Sequence, residues 1–131
     1  MKKLLLLLLC VPLIGFSQSN EYYINNLITG IKSNTDFPQS VNIGTWEDVI
    51  NEKNNNIVYV YFTSAKNRIE LEKLLVRFQV DKNSIINATD SESVLIKELR
   101  ERNINVLMRY YNITEPELLL MEIILKPFDW K

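Results

Sequence analysis

The stretch Ile57-Val58-Tyr59-Val60-Tyr61-Phe62 decides how the rest of this chain is read. Six consecutive β-branched or aromatic residues lie between an asparagine turn, Asn54-Asn55-Asn56, and a polar pair, Thr63-Ser64. A run that short, that apolar and that bounded predicts a central strand. A second strand pattern stands near the C-terminus, where Ile104, Val106, Met108 and Tyr110 alternate with Asn105, Leu107, Arg109 and Tyr111. Leu118 to Leu125 follows after a turn at Asn112 to Glu117, and so short a connection makes this pair an antiparallel hairpin. A helix over Pro116 to Leu125 is the competing reading, since proline suits a first helical position.

Helical spacing fills the intervals. Over Glu21 to Ser33, Ile24, Leu27, Ile28 and Ile31 fall on one apolar stripe. Ser19 or Asn20 can cap its start, while Asn34-Thr35-Asp36 and Pro38 end it. A second helix spans Lys66 to Phe78 with Leu71, Leu74, Leu75 and Phe78 inward and Ser64 as its N-cap. Asp81 to Ala88 reads as a connection that tucks Ile85-Ile86 into the core. A third helix starts at Thr89 or Ser91 and ends near Arg102-Asn103; its acidic first turn (Asp90, Glu92) and basic last turn (Arg100, Arg102) suit the helix dipole. Phe37 to Asn56 admits two readings. Either Thr45 to Asn51 is a strand that turns into the central one, or Thr45 caps a short helix with Trp46, Val49 and Ile50 on one face. Together these patterns predict a single α+β domain: an antiparallel sheet of three to four strands with helices packed on one face.

The N-terminus predicts the compartment. Met1-Lys2-Lys3 is basic, Leu4 to Ile14 has about the length of a signal-peptide core, Pro12 and Gly15 break it, and Ser17 is a small residue before a cleavage point. An uncleaved span would need roughly 20 apolar residues. Cys10 lies within this core; a lipoprotein signal would need a small residue where Leu9 stands. Residues 1–17 are therefore expected to be a signal peptide, and residues 18–131 one exported domain, periplasmic or secreted, with no stable membrane anchor after cleavage.

Composition removes several chemistries. The whole chain carries 15 basic and 16 acidic residues; losing Lys2 and Lys3 takes its formal charge from −1 to −3, which argues against a nucleic-acid footprint. There is no histidine, and the single cysteine belongs to the leader. The exported part then has no disulfide, thiol nucleophile, imidazole base or Cys/His zinc site, and no cofactor is expected. Gly15, Gly30 and Gly44 are isolated, so no glycine-rich phosphate loop can form. Asn87-Ala88-Thr89 and Asn112-Ile113-Thr114 match the glycosylation sequon, discounted because the leader looks bacterial.

The remaining candidates are carboxylates, Ser/Lys pairs and a surface. Glu47 with Asp48, and Glu98 with Glu101, could in principle flank a bond to be hydrolysed, which needs two carboxyls about 5–10 Å apart across a cleft. Solvation on helix faces explains them more simply. Ser64 with Lys66 and Ser91 with Lys97 are the Ser/Lys candidates, and helix capping accounts for both serines. If Val58, Val60 and Phe62 join Val106, Met108 and Tyr110 in facing the helices, the opposite face collects Tyr59, Tyr61, Leu107, Arg109 and Tyr111. Tyrosine and arginine are enriched at recognition hot spots. The expected function is a non-enzymatic binding or inhibitor-like protein using Tyr59, Tyr61, Arg109 and Tyr111 to hold a protein partner or a second copy. The alternative is a hydrolase working through the carboxylates or Ser/Lys.

Two resemblances accompany this reading. Thr45-Trp46-Glu47-Asp48-Val49-Ile50, a strand and then Phe62-Thr63-Ser64 resemble the opening of a thioredoxin-like domain. Where that family carries Cys-x-x-Cys, this chain has Ala65-Lys66-Asn67-Arg68, so the resemblance implies no redox role. From Phe37-Pro38 onward, Pro38, Val41, Thr45, Tyr59, Tyr61, Leu99, Arg109, Tyr110 and Tyr111 make the layout similar to small exported domains of Gram-negative bacteria that have no assigned activity. Those domains usually carry a cysteine pair that this chain lacks. The resemblance implies a fold and a location but no function.

Overall fold

The computed structural model describes residues 19–130; the expected leader, residues 1–17, lies outside them. Helix α1 (Asn20–Ser33) opens on Ser19, whose side chain accepts a hydrogen bond from the Tyr22 amide. It buries Ile24, Leu27, Ile28 and Ile31, and Tyr23 widens the expected stripe. The chain then enters three strands, β1 (Gln39–Val41), β2 (Gly44–Lys53) and β3 (Asn56–Thr63). The strand reading of residues 45–51 is the correct one, and with it the thioredoxin-like opening, which needed a helix there, falls away. Lys53, Asn54 and Asn55 all take positive φ in the β2–β3 turn. Asparagine tolerates that conformation better than most residues, which is why the Asn-rich segment turns where it does.

Between β3 and the next strand lie α2 (Arg68–Arg77), α3 (Lys82–Ala88) and α4 (Val94–Glu101). Asn67, not Ser64, caps α2, accepting from the Glu70 amide at 2.9 Å. The segment expected as a connection is helix α3, started by Asp81, which accepts from both the amide and the hydroxyl of Ser84. Helix α4 is shorter than expected: Ser93 caps it, and Asp90 and Glu92 precede it rather than fill its first turn. The chain closes with β4 (Asn105–Asn112), β5 (Leu119–Leu125) and a 3₁₀ turn, Pro127–Asp129. The β4–β5 hairpin is antiparallel as expected, which excludes a helix beginning at Pro116.

The domain is α+β, but the sheet has five strands in the order β1-β2-β3-β4-β5 and is mixed. β3 and β4 run parallel, with Tyr59 opposite Met108 and Tyr61 opposite Tyr110. This corrects the expected all-antiparallel sheet of three to four strands. A long helical connection carries the chain back to the end of the sheet where β3 began, so β4 enters in the same direction; parallel neighbours need such a crossover. The extra strand, β1, is too short to show a pattern.

All the helices pack on one side. Leu71 and Leu75 of α2, Ile85 and Ile86 of α3, and Ile96 and Leu99 of α4 join one core with Ile57, Tyr110 and Ile123 of the sheet. Burying each such side chain contributes roughly 1.5–3 kcal/mol. Two polar ties fix the rim of this layer. Asn20 Nδ2 donates to the Arg102 carbonyl at 2.7 Å, joining the start of α1 to the end of α4. Buried Asn112 donates to the Ala65 carbonyl at 2.9 Å and accepts from the Thr114 and Glu115 amides, knotting the end of β4 to the β3–α2 loop.

A candidate ligand cavity beneath the helices

The register sorts the sequence-derived candidates onto opposite sides of the sheet. Tyr59 and Tyr61 share a face with Met108 and Tyr110 and turn toward the helices. Val58, Val60 and Phe62 share the other face with Leu107, Arg109 and Tyr111. The expected assignment of β3 was therefore inverted, and the structure does not bring Tyr59, Tyr61, Arg109 and Tyr111 together. Every residue of β3 from Ile57 to Phe62 is apolar or aromatic, so the strand has no polar side to mark its direction.

On the outer face, Arg109 is clasped. Its guanidinium donates to both carboxylate oxygens of Glu52, one contact measuring 2.6 Å, and its Nε donates to Glu122. The register sets Val58 between Leu107 on β4 and Ile50 on β2, and Val58 is 0% exposed although no helix lies over it. Arg109 holds the Glu52 carboxyl below its ordinary value chiefly by these hydrogen bonds, and the same pairing raises the arginine further above its own. Tyr111 meets Phe62 edge-on at 6.1 Å, away from this clasp. A row of aliphatic residues, Ile50–Val58–Leu107–Ile124, crosses four strands, its ends 36% and 37% exposed.

Under the helices lies a cavity of about 290 Å³. Its floor is Ile57, Tyr59 and Tyr61 of β3, Val106 and Met108 of β4, and Leu125 of β5. Leu27 and Ile31 of α1, Ile85 of α3, and Leu95 and Leu99 of α4 roof it, and Trp130 closes one wall at 8% exposure. Ile31, Tyr59 and Leu95 also line an adjoining cleft whose rim is polar: Asn34, Thr35, Asp36 and Gln39. Trp46 forms the back of that cleft, stacked on Tyr59 with ring centres 5.4 Å apart and braced edge-on by Phe37 at 4.8 Å. Tyr61 in turn stacks on Tyr110 at 4.9 Å. Cross-strand pairing, antiparallel from β2 to β3 and parallel from β3 to β4, places these rings side by side on one face.

No charged side chain is among the described residues lining the cavity. Burial pushes the Tyr59 and Tyr61 phenols above their ordinary value, and for Tyr61 the neighbouring Tyr110 and Tyr59 act in the same direction. Neither phenol hydroxyl has a hydrogen-bond partner among the described residues. The buried Trp46 and Trp130 indole N–H groups likewise have none. Thr89 is already engaged, donating to the Ile85 carbonyl at 2.6 Å.

The dismissed catalytic pairs are occupied elsewhere. Glu47 accepts from the Thr45 hydroxyl and Asp48 pairs with Lys32 at 3.1 Å, both from β2 rather than a helix. Glu98 pairs with Arg102 at 2.8 Å, and Lys97 with Glu92 at 3.4 Å. Among the described residues no group of three acidic, histidine or cysteine side chains could hold a metal ion, and no helix is long and apolar enough to cross a membrane. Sequence reasoning missed the cavity because its lining comes from seven separate segments of regular apolar pattern, each of which reads as ordinary core. The one available signal was Tyr59 and Tyr61, two large polar-tipped residues in the middle of an apolar strand. No protein-family model, curated protein or solved structure matches this chain.

Proposed function

We propose that this is an exported, non-enzymatic binding protein whose site is the cavity between the sheet and the helices. The observation that carries the reading is an apolar cavity of about 290 Å³ floored in part by two tyrosines whose hydroxyls have no partner among the described residues. Small-molecule sites are typically concave, mostly apolar, and furnished with a few polar groups that fix orientation. The absence of a carboxylate, amine or imidazole among the described lining residues supports binding over hydrolysis, since acid–base chemistry needs a group that exchanges protons near neutral pH. The test is titration with N-phenyl-1-naphthylamine, a neutral probe that fluoresces in apolar surroundings. We expect one site per chain, lost in Leu95→Trp, which places an indole where cavity and cleft meet, with circular dichroism unchanged. No gain in probe fluorescence, or a folded Leu95→Trp protein that binds as well as the wild type, overturns the reading.

A second reading keeps a protein partner on the outer sheet face. It is favoured by the exposed ends of the Ile50–Val58–Leu107–Ile124 row beside the Arg109 clasp. Arginine and tyrosine there are the residue types of recognition hot spots. Two of the four residues expected for that role, Arg109 and Tyr111, lie on this face. Tyr59 and Tyr61 belong to the cavity reading.

A further inference from the structure

We infer that the cavity selects a neutral, apolar molecule of about two fused rings bearing one hydrogen-bonding oxygen, and rejects the carboxylate of the same skeleton. The inference rests on the cavity reading above and adds the class of ligand.

Size sets the apolar body. A cavity of roughly 150 Å³ lined by aliphatic and aromatic side chains stays dry and binds benzene. At about 290 Å³ this one has close to twice that room. Polarity sets the oxygen. Tyr59 and Tyr61 both line the cavity floor, and their two phenol hydroxyls have no hydrogen-bond partner among the described residues. A pure hydrocarbon would cover both and leave them unsatisfied, whereas a carbonyl or hydroxyl oxygen meets at least one. Burial keeps both phenols protonated, so each has a proton to donate to such an oxygen.

Charge sets the exclusion. A carboxylate drawn into this cavity would lose its hydration and find no cation among the described lining residues. Turned outward, it would meet Asp36 on the rim of the cleft. Both orientations disfavour the anion, so the discrimination does not depend on which end of the ligand enters first.

Three matched probes separate these terms: indane, 1-indanone and 1-indanecarboxylate, titrated calorimetrically at pH 7 against the wild type and against Tyr59→Phe/Tyr61→Phe. The double substitution keeps both rings and removes both hydroxyls. We expect 1-indanone to bind about fivefold more tightly than indane, the worth of one net hydrogen bond. We expect the carboxylate to bind at least tenfold more weakly than the ketone. In the double variant indane should bind within about twofold of wild type, which also reports that the cavity has kept its shape, while the advantage of the ketone disappears. If indane binds but the ketone gains nothing, or the gain survives loss of both hydroxyls, or the carboxylate matches the ketone, the ligand class is wrong and the cavity reading stands. If none of the three binds the wild type, the cavity reading itself falls.

Discussion

Arg109 shows how much one side chain can do on a face that has no helix to cover it. Its planar fork satisfies Glu52 with two contacts and Glu122 with a third. Ion pairs near a surface contribute about 0–1 kcal/mol, and a bidentate arginine pair belongs at the upper end. Because Glu52 is more acidic in the folded protein than its ordinary value near 4.5, its contribution is complete above that pH and is lost as pH falls through the folded value. Replacing Glu52 by glutamine should cost about 1 kcal/mol at pH 7 and flatten the fall in stability between neutral pH and pH 3. Urea denaturation of both proteins across that range measures it. A Glu52→Gln protein with the full wild-type slope would show that other carboxylates set the acid response.

Among the elements, the β1–β2 hairpin depends on one backbone position. Gly44 has a φ of +149°, and a Cβ placed there would lie 2.0 Å from the Phe62 carbonyl oxygen. The oxygen belongs to the central strand and cannot swing aside as a side-chain tip could. Gly44→Ala should therefore destabilise the protein by about 2–3 kcal/mol. Hydrogen exchange should locate the damage at β1 and the start of β2, with α2 to α4 unaffected at low denaturant. Uniform loss across the protein would instead mean that the hairpin and the helical layer unfold as one unit. β1 was the element with no legible pattern, and Gly44 looked like an isolated glycine, because a close approach between strands leaves no mark in the sequence of either one.

At the level of the molecule, one sheet carries two unlike faces, and its aromatic side chains are concentrated under the helices. Burial raises the phenols of Tyr23, Tyr59, Tyr61 and Tyr110 above their ordinary value of 10.0. A group raised on folding contributes stability that is complete below its unfolded value and is lost as pH climbs toward the folded one. Stability should thus be flat with respect to these groups up to about pH 9 and fall progressively above pH 10. Tyr61→Phe should reduce that alkaline slope. Absorbance at 295 nm should rise in step with unfolding rather than before it; ionisation of all six tyrosines in a protein still folded at pH 11 would contradict the packing described here.

By itself, the sequence determined most of the helices and strands and that β3 lies at the centre, while it left residues 45–51 open between strand and helix and gave α3 as a connection. Those properties follow from local periodicity, from capping residues such as Ser19, and from the asparagines that turn the chain before Asn56. It also placed Val106, Met108 and Tyr110 together on one side of β4, because they alternate with Asn105, Leu107, Arg109 and Tyr111; the structure turns that side to the helices. The direction of β4 and the side on which Tyr59 and Tyr61 point were decided only in three dimensions. Pairing partners separated by three helices are chosen by how the whole layer packs, and a strand apolar on both sides carries no record of which side was chosen. The cavity is of the same kind: it is a space left between segments, and no single segment encodes it.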